Sequence, residues 1–178
     1  MMNIPNLLTL LRLLLIPVFV YSYSYLGNLT ASVIILAVSG VTDVLDGFIA
    51  RKFNMITPFG SVFDPLVDKL TQITVALCIA LSGHMVMWFV FGFLVIKEIA
   101  MVLGGITLYK KNYVVISANW YGKAATTFFY AMFFVLIIFG GVTTRSVEII
   151  VTVVAIGVGI FALVRYAMLF FGIKKKVG

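Results

Sequence analysis

Between short polar breaks this chain is almost pure hydrocarbon, in runs as long as a bilayer is thick. A helix needs about 20 apolar residues to cross the hydrocarbon core, and apolar runs of that length recur along the sequence. They fall at about Asn6–Tyr25, Leu29–Arg51, Gly60–Ser82, Met87–Tyr109, Ala118–Phe139 and Val147–Phe171. Gly27-Asn28, the polar stretch Lys52–Phe59, Lys110-Lys111-Asn112 and Gly140-Gly141 punctuate them. Only 11% of the 178 residues are charged, against 63% hydrophobic, which excludes an ordinary soluble domain. The expectation is an all-α, multi-pass membrane protein with six transmembrane helices, a single integral-membrane domain over residues 1–178. The first run lacks a basic leader and a small-residue cleavage site, so it reads as a retained helix rather than a signal peptide.

The charges order the spans. Arg51, Lys52, Lys110, Lys111 and Lys174-Lys175-Lys176 fall on one side, while the other side has His84, Arg145 and Glu148. Basic loops face the cytoplasm, and an even number of spans returns the chain to its starting side. Both termini are therefore expected to be cytoplasmic, in the cell membrane. The net charge of +7 lies mostly at span ends, where it meets anionic headgroups and does not call for nucleic acid. The single Cys78 allows no disulfide or zinc framework within one chain and reads as a small buried hydrophobe.

Against this background the acids stand out. The chain has six, and all four aspartates lie between Asp43 and Asp68. Asp43 and Asp46 are three apart, and Asp64 and Asp68 four apart, so each pair shares one helix face. Carboxylates in a membrane segment are expensive and mark a functional site by default. Four of them on adjacent helices repel unless a cation lies between, and hard divalent cations take oxygen ligands. The topology places them at the cytoplasmic helix ends, open to the cytosol while their helices touch lipid.

The full pattern is D-V-L-D-G-F-I-A-R, eight residues, then G-S-V-F-D-P-L-V-D. It resembles, without a departure, the D-x2-D-G-x2-A-R-x8-G-x3-D-x3-D signature of the CDP-alcohol phosphotransferase family. The opening N-I-P-N-L-L-T-L-L-R and the block Gly122-Lys123 with Thr126 also resemble that family, its phosphatidylglycerophosphate synthase branch and the cardiolipin-synthase relatives of that branch. The resemblance implies an enzyme in which an alcohol attacks the β-phosphoryl group of a CDP-linked lipid and expels CMP. It implies two Mg2+ or Mn2+ ions held by Asp43, Asp46 and Asp64 with Asp68 at their edge, and Asp68 as the general base. It also implies a homodimer.

Other residues carry two readings each. Gly47 within a helix costs about 1 kcal/mol relative to alanine. Close helix packing explains that as well as a nucleotide does, and Ala50 and Gly60 share the ambiguity; the family pattern places all three in the CDP pocket. Arg51 can fork onto phosphate oxygens or serve as an interfacial cation. Asn6, Thr9 and Arg12 recur every three residues on one face of an apolar helix, where the resemblance has them enclose the cytidine nucleotide. On the acceptor side, Lys123 resembles a family lysine near the phosphate pocket, while snorkelling is its competitor. Lys97 and Glu98 lie about 20 Å from the helix end at Lys110, deep enough to face the bundle interior. Arg165 could meet an acceptor phosphate or snorkel.

Span four lacks the arginines usual in the phosphatidylglycerophosphate branch. Both glycerol 3-phosphate and phosphatidylglycerol therefore stand as acceptors, the first preferred. A cation channel or transporter would also carry acids within its spans, yet here they cluster at one end beside a phosphate-type glycine and arginine. A catalytically dead scaffold would not need all eight motif positions.

Overall fold

The computed structural model describes residues 3–53, 55, 57–110, 120–139 and 145–177, with side chains except at residues 51, 104–110, 120–124 and 169–177. Within these residues the regular structure is all helix: α1 (Ile4–Val20), a π-helical turn (Tyr21–Tyr25), α2 (Leu29–Lys52), α3 (Gly60–Leu81), α4 (Met87–Lys110), α5 (Trp120–Phe139) and α6 (Arg145–Val177). Pro5 sits in the first turn of α1, where its missing N–H removes no helical bond. At the other end the chain widens, and Leu26 N–H donates to Tyr21 C=O at 3.1 Å, closing a five-residue turn. Gly27 then takes φ +60°, a conformation open to glycine, and the Asn28 side chain accepts from Ala31 N–H at 3.0 Å to cap α2.

α1 packs on α2 and α3, α3 continues onto α4, α5 reaches back to α2 and α3, and α6 covers α4 and α5. The core runs along these seams through Phe19, Leu36, Val75, Ile79, Leu94, Phe129 and Phe133. Gly159 shows how closely α6 approaches: a Cβ there would come within 2.6 Å of the Phe93 ring. The outward faces stay apolar, with Leu14, Ile34, Val44, Val62, Ile96 and Val153 exposed, a surface suited to lipid. Among the described residues, three helical stretches, Ile4–Tyr25, Leu29–Ala50 and Arg145–Met168, are long and apolar enough to cross a membrane.

The expected spans and the helices agree closely in position. Two ends differ. The first span closes in the π turn, and α6 continues past Phe171 to Val177, through the lysines read as a tail. The last turns of a helix tolerate lysine well, since its charge complements the carboxyl-end dipole. The expected start of span five at Ala118 and the Gly140-Gly141 break lie outside the described residues.

Candidate active site

Three helices bring the polar residues together at one end of the bundle. On α1, Leu7, Leu11 and Leu14 face out, while Asn6, Thr9 and Arg12 are buried, Arg12 completely at 0% exposure. The three-residue spacing aims all three at α2 and α3. There Arg12 Nη1 lies 2.6 Å from Asp43 Oδ1 and 3.1 Å from Asp64 Oδ1, and Nη2 pairs with Asp46 Oδ2. Thr9 Oγ1 stands 3.3 Å from the same Asp46 oxygen and 3.1 Å from Pro5 C=O, its one hydrogen shared between two acceptors. Asp46 is buried, whereas Asp43 and Asp64 are each more than a third exposed at the side chain.

Asp43, Asp46 and Asp64 each offer an oxygen within 4.8 Å of the others, a set that could hold a metal ion. Three carboxylates face one guanidinium, so the cluster keeps a net negative charge, and its donors are all hard oxygens of the kind magnesium and manganese prefer. The residues present therefore fit a divalent cation. Asp68 stands outside that trio and is held differently. Gln72 Nε2 donates to its Oδ2 at 3.2 Å, and Tyr130 Oη on α5 donates to its Oδ1 at 3.1 Å.

Beside the trio lies a cavity of about 110 Å³ lined by Asn6, Thr9, Asp46, Gly47, Ala50, Thr57, Gly60 and Asp64, among others. Five of the residues expected to form a CDP pocket, Asn6, Thr9, Gly47, Ala50 and Gly60, thus line one cavity. Arg12 does not line it and sits among the carboxylates. Gly60 lets Asn6 approach closely: a Cβ would stand 2.5 Å from Asn6 Oδ1 and 3.0 Å from Thr57 Oγ1, so the Asn6 side chain would have to shift. Thr57 accepts from Gly60 N–H at 3.0 Å, and Asn6 Nδ2 lies 3.3 Å from the same hydroxyl, so Thr57 ties the start of α3 to α1. A second, larger groove of about 540 Å³ opens between α2 and α5, with Asp43, Thr126, Thr127 and Tyr130 beside Val41, Val44 and Phe134.

The expected acceptor residues are more scattered. Lys97 Nζ pairs with Glu98 Oε1 at 2.9 Å, and Lys69 Nζ with Glu98 Oε2 at 2.5 Å, so one carboxylate bridges two lysines of α3 and α4. Lys97 also lies 5.9 Å from the centre of the Phe129 ring. Both side chains of the Lys97–Glu98 pair are largely buried. Arg165 lies on α6, exposed. The side chains of Arg51 and Lys123 lie outside the described residues.

Sequence reasoning missed Tyr130, Gln72, Thr57 and Lys69. Gln72 is one helical turn beyond Asp68, and Tyr130 one turn beyond Thr126, so i,i+4 spacing from motif residues was the available signal. Lys69, adjacent to Asp68, is a cation inside an apolar run and called for a partner.

The description "CDP-alcohol phosphatidyltransferase" belongs to a family whose sequence profile matches residues 2–164. A Pseudomonas fluorescens protein named "CDP-diacylglycerol--glycerol-3-phosphate 3-phosphatidyltransferase" is 43% identical over 93 residues, 49% of this chain and 45% of its own length. An Aquifex aeolicus protein of the same name is 35% identical over 128 residues, 71% of each chain. A Mycobacterium tuberculosis protein provisionally named a cardiolipin synthase is 37% identical over 126 residues, 70% of this chain and 59% of its own. The chain thus spans about half the length of the Pseudomonas and Mycobacterium relatives it matches.

Proposed function

The chain belongs to the CDP-alcohol phosphatidyltransferase family, and on that premise we propose that it transfers the phosphatidyl group of CDP-diacylglycerol to glycerol 3-phosphate, giving phosphatidylglycerol phosphate and CMP. The observation that carries this is the joining of an oxygen-only metal-type cluster to a small cleft walled by Gly47, Ala50 and Gly60. Glycine and alanine there leave the backbone open to a nucleotide, and Asn6 and Thr9 supply polar contacts. Relatives bearing the corresponding name at 43% and 35% identity support the acceptor.

In this reading Asp43, Asp46 and Asp64 hold two divalent ions, Mg2+ or Mn2+, with Asp68 at the edge. Bound metals stabilise the attacking and leaving oxygens of an in-line displacement. Arg12 keeps the three carboxylates converged and offsets their repulsion. Arg51 neutralises pyrophosphate oxygens. Asp68 accepts the proton of the acceptor hydroxyl while that oxygen bonds to the β-phosphorus. The bond from the β-phosphorus to the bridging oxygen breaks, and CMP departs with the electron pair. Lys123, Arg165 and Lys97 capture the acceptor phosphate.

The protein acts as a homodimer in the cell membrane, crossing it six times, with both termini and the aspartates facing the cytoplasm. The apolar outer faces of the helices and the aspartates gathered at one bundle end support this arrangement.

A second reading rests on the 37% identity to the Mycobacterium protein and on a span four with no arginine among residues 97–105. There the acceptor is phosphatidylglycerol and the product cardiolipin. Purified protein given CDP-diacylglycerol and one acceptor at a time decides between them. Release of CMP with glycerol 3-phosphate is the expected result. Conversion of phosphatidylglycerol alone would replace the first reading with the second.

A further inference from the structure

Resting on the reading of Asp68 as general base, we infer that Tyr130 is a positioning residue of the reaction, aligning that base from the opposite helix. The carboxylate is held at both oxygens, by Tyr130 Oη at 3.1 Å on Oδ1 and by Gln72 Nε2 at 3.2 Å on Oδ2. Each donor uses one lone-pair site of its oxygen and leaves another open to a substrate proton. Rotation of a carboxylate about χ2 is soft, so one bond to each oxygen fixes the plane in which Asp68 can accept. Gln72 shares α3 with Asp68 and can fix it only relative to its own helix. Tyr130 comes from α5, 62 residues away, and sets the carboxylate relative to the rest of the site.

The phenol also stands where the site meets the α2–α5 groove, whose wall includes Asp43 of the carboxylate trio. Tyr130 therefore links the base to the same space that reaches the metal-type cluster. Its ring packs edge-on to Phe133, with centroids 6.4 Å apart, so a phenylalanine in its place keeps the packing and loses only the donor. Misplacing a catalytic group by about 1 Å can cost ~10²-fold, and a base held by one hydrogen bond in place of two is misplaced by less.

The test is steady-state kinetics of Tyr130→Phe, Asp68→Asn and the double variant, with thermal unfolding and CDP-diacylglycerol binding measured on each. Tyr130→Phe should lower kcat about tenfold, with KM for both substrates, lipid binding and unfolding temperature within error of the parent. The double variant should be no slower than Asp68→Asn alone, because the hydroxyl acts through the carboxylate. Unchanged kcat in Tyr130→Phe, or losses that multiply in the double variant, would overturn the inference while leaving Asp68 as base. Parent-like turnover by Asp68→Asn would remove the base assignment itself. If Tyr130→Phe does not accumulate as folded protein, Tyr130→Met carries the same test: a fall in kcat without a change in KM supports the alignment from α5, and an unchanged kcat overturns it.

Discussion

The two ends of the α1–α2–α3 bundle treat polar groups in different ways. At one end, Ser22, Asn28 and Ser32 bond to each other or to nearby backbone, with partners at most ten residues away in sequence. Ser82 bonds to Cys78 C=O, one turn back. The longer links at this end, Ser82 with Tyr23 and His84 Nδ1 with Glu148 Oε1 at 3.3 Å, join one group to one partner and leave no cluster of like charges. At the other end, Arg12 meets Asp46 across 34 residues and Asp64 across 52, and Asp68 meets Tyr130 across 62. The carboxylates there outnumber the guanidinium, three to one, in a set that could hold a cation. Local polar contacts terminate secondary structure; long-range ones with a charge imbalance build a site.

The contrast can be broken by substitution. Asp64→Ala removes one of three converging carboxylates and should lower kcat/KM by about 10³-fold or more, roughly 4 kcal/mol of transition-state stabilisation. Turnover near that of the parent in a CMP-release assay would show that the excess charge does no chemistry. Asp68→Asn should reduce kcat by ~10² or more, the scale of a lost general base, with CDP-diacylglycerol binding retained. Gly60→Ala should act on binding. Its methyl would collide with Asn6 and Thr57, and overpacking of that kind costs about 1–3 kcal/mol. The expected outcome is a rise of about tenfold or more in KM for the CDP-lipid, and parent-like KM would show that the cleft is not the nucleotide pocket. At the far end, Asn28→Ala should cost about 1 kcal/mol of stability through the lost cap and leave kcat/KM unchanged. A loss of activity there would erase the distinction between the ends.

Much of this was readable in the chain. The i,i+3 and i,i+4 aspartate pairs and the three-residue spacing of Asn6, Thr9 and Arg12 follow from helical period alone, and the structure brings them onto facing helices. Gly60 is legible in the sequence as small; the close approach of Asn6, 2.5 Å from its would-be Cβ, is visible only in the structure. The sequence puts Arg12 with the nucleotide pocket, whereas the structure sets it among the aspartates, because opposite charges in an apolar bundle find each other before solvent. Tyr130 was hidden for a different reason: a phenol in the run Phe128-Phe129-Tyr130 looks like core, and only the packing of α5 on α3 turns its hydroxyl towards Asp68. The π turn at Tyr21–Tyr25 is not legible in Tyr-Ser-Tyr-Ser-Tyr, whose alternation has the period of a strand.

The central claim is that the converging aspartates make a metal-dependent site for transfer from a CDP-lipid. It is tested most directly by following CMP release from CDP-diacylglycerol and glycerol 3-phosphate by the purified protein, before chelation, after it, and after adding back Mg2+ or Mn2+. The account predicts release that stops with the chelator and returns with the metal, and an Asp64→Ala protein that neither starts nor recovers. Undiminished CMP release in the presence of excess chelator would contradict it.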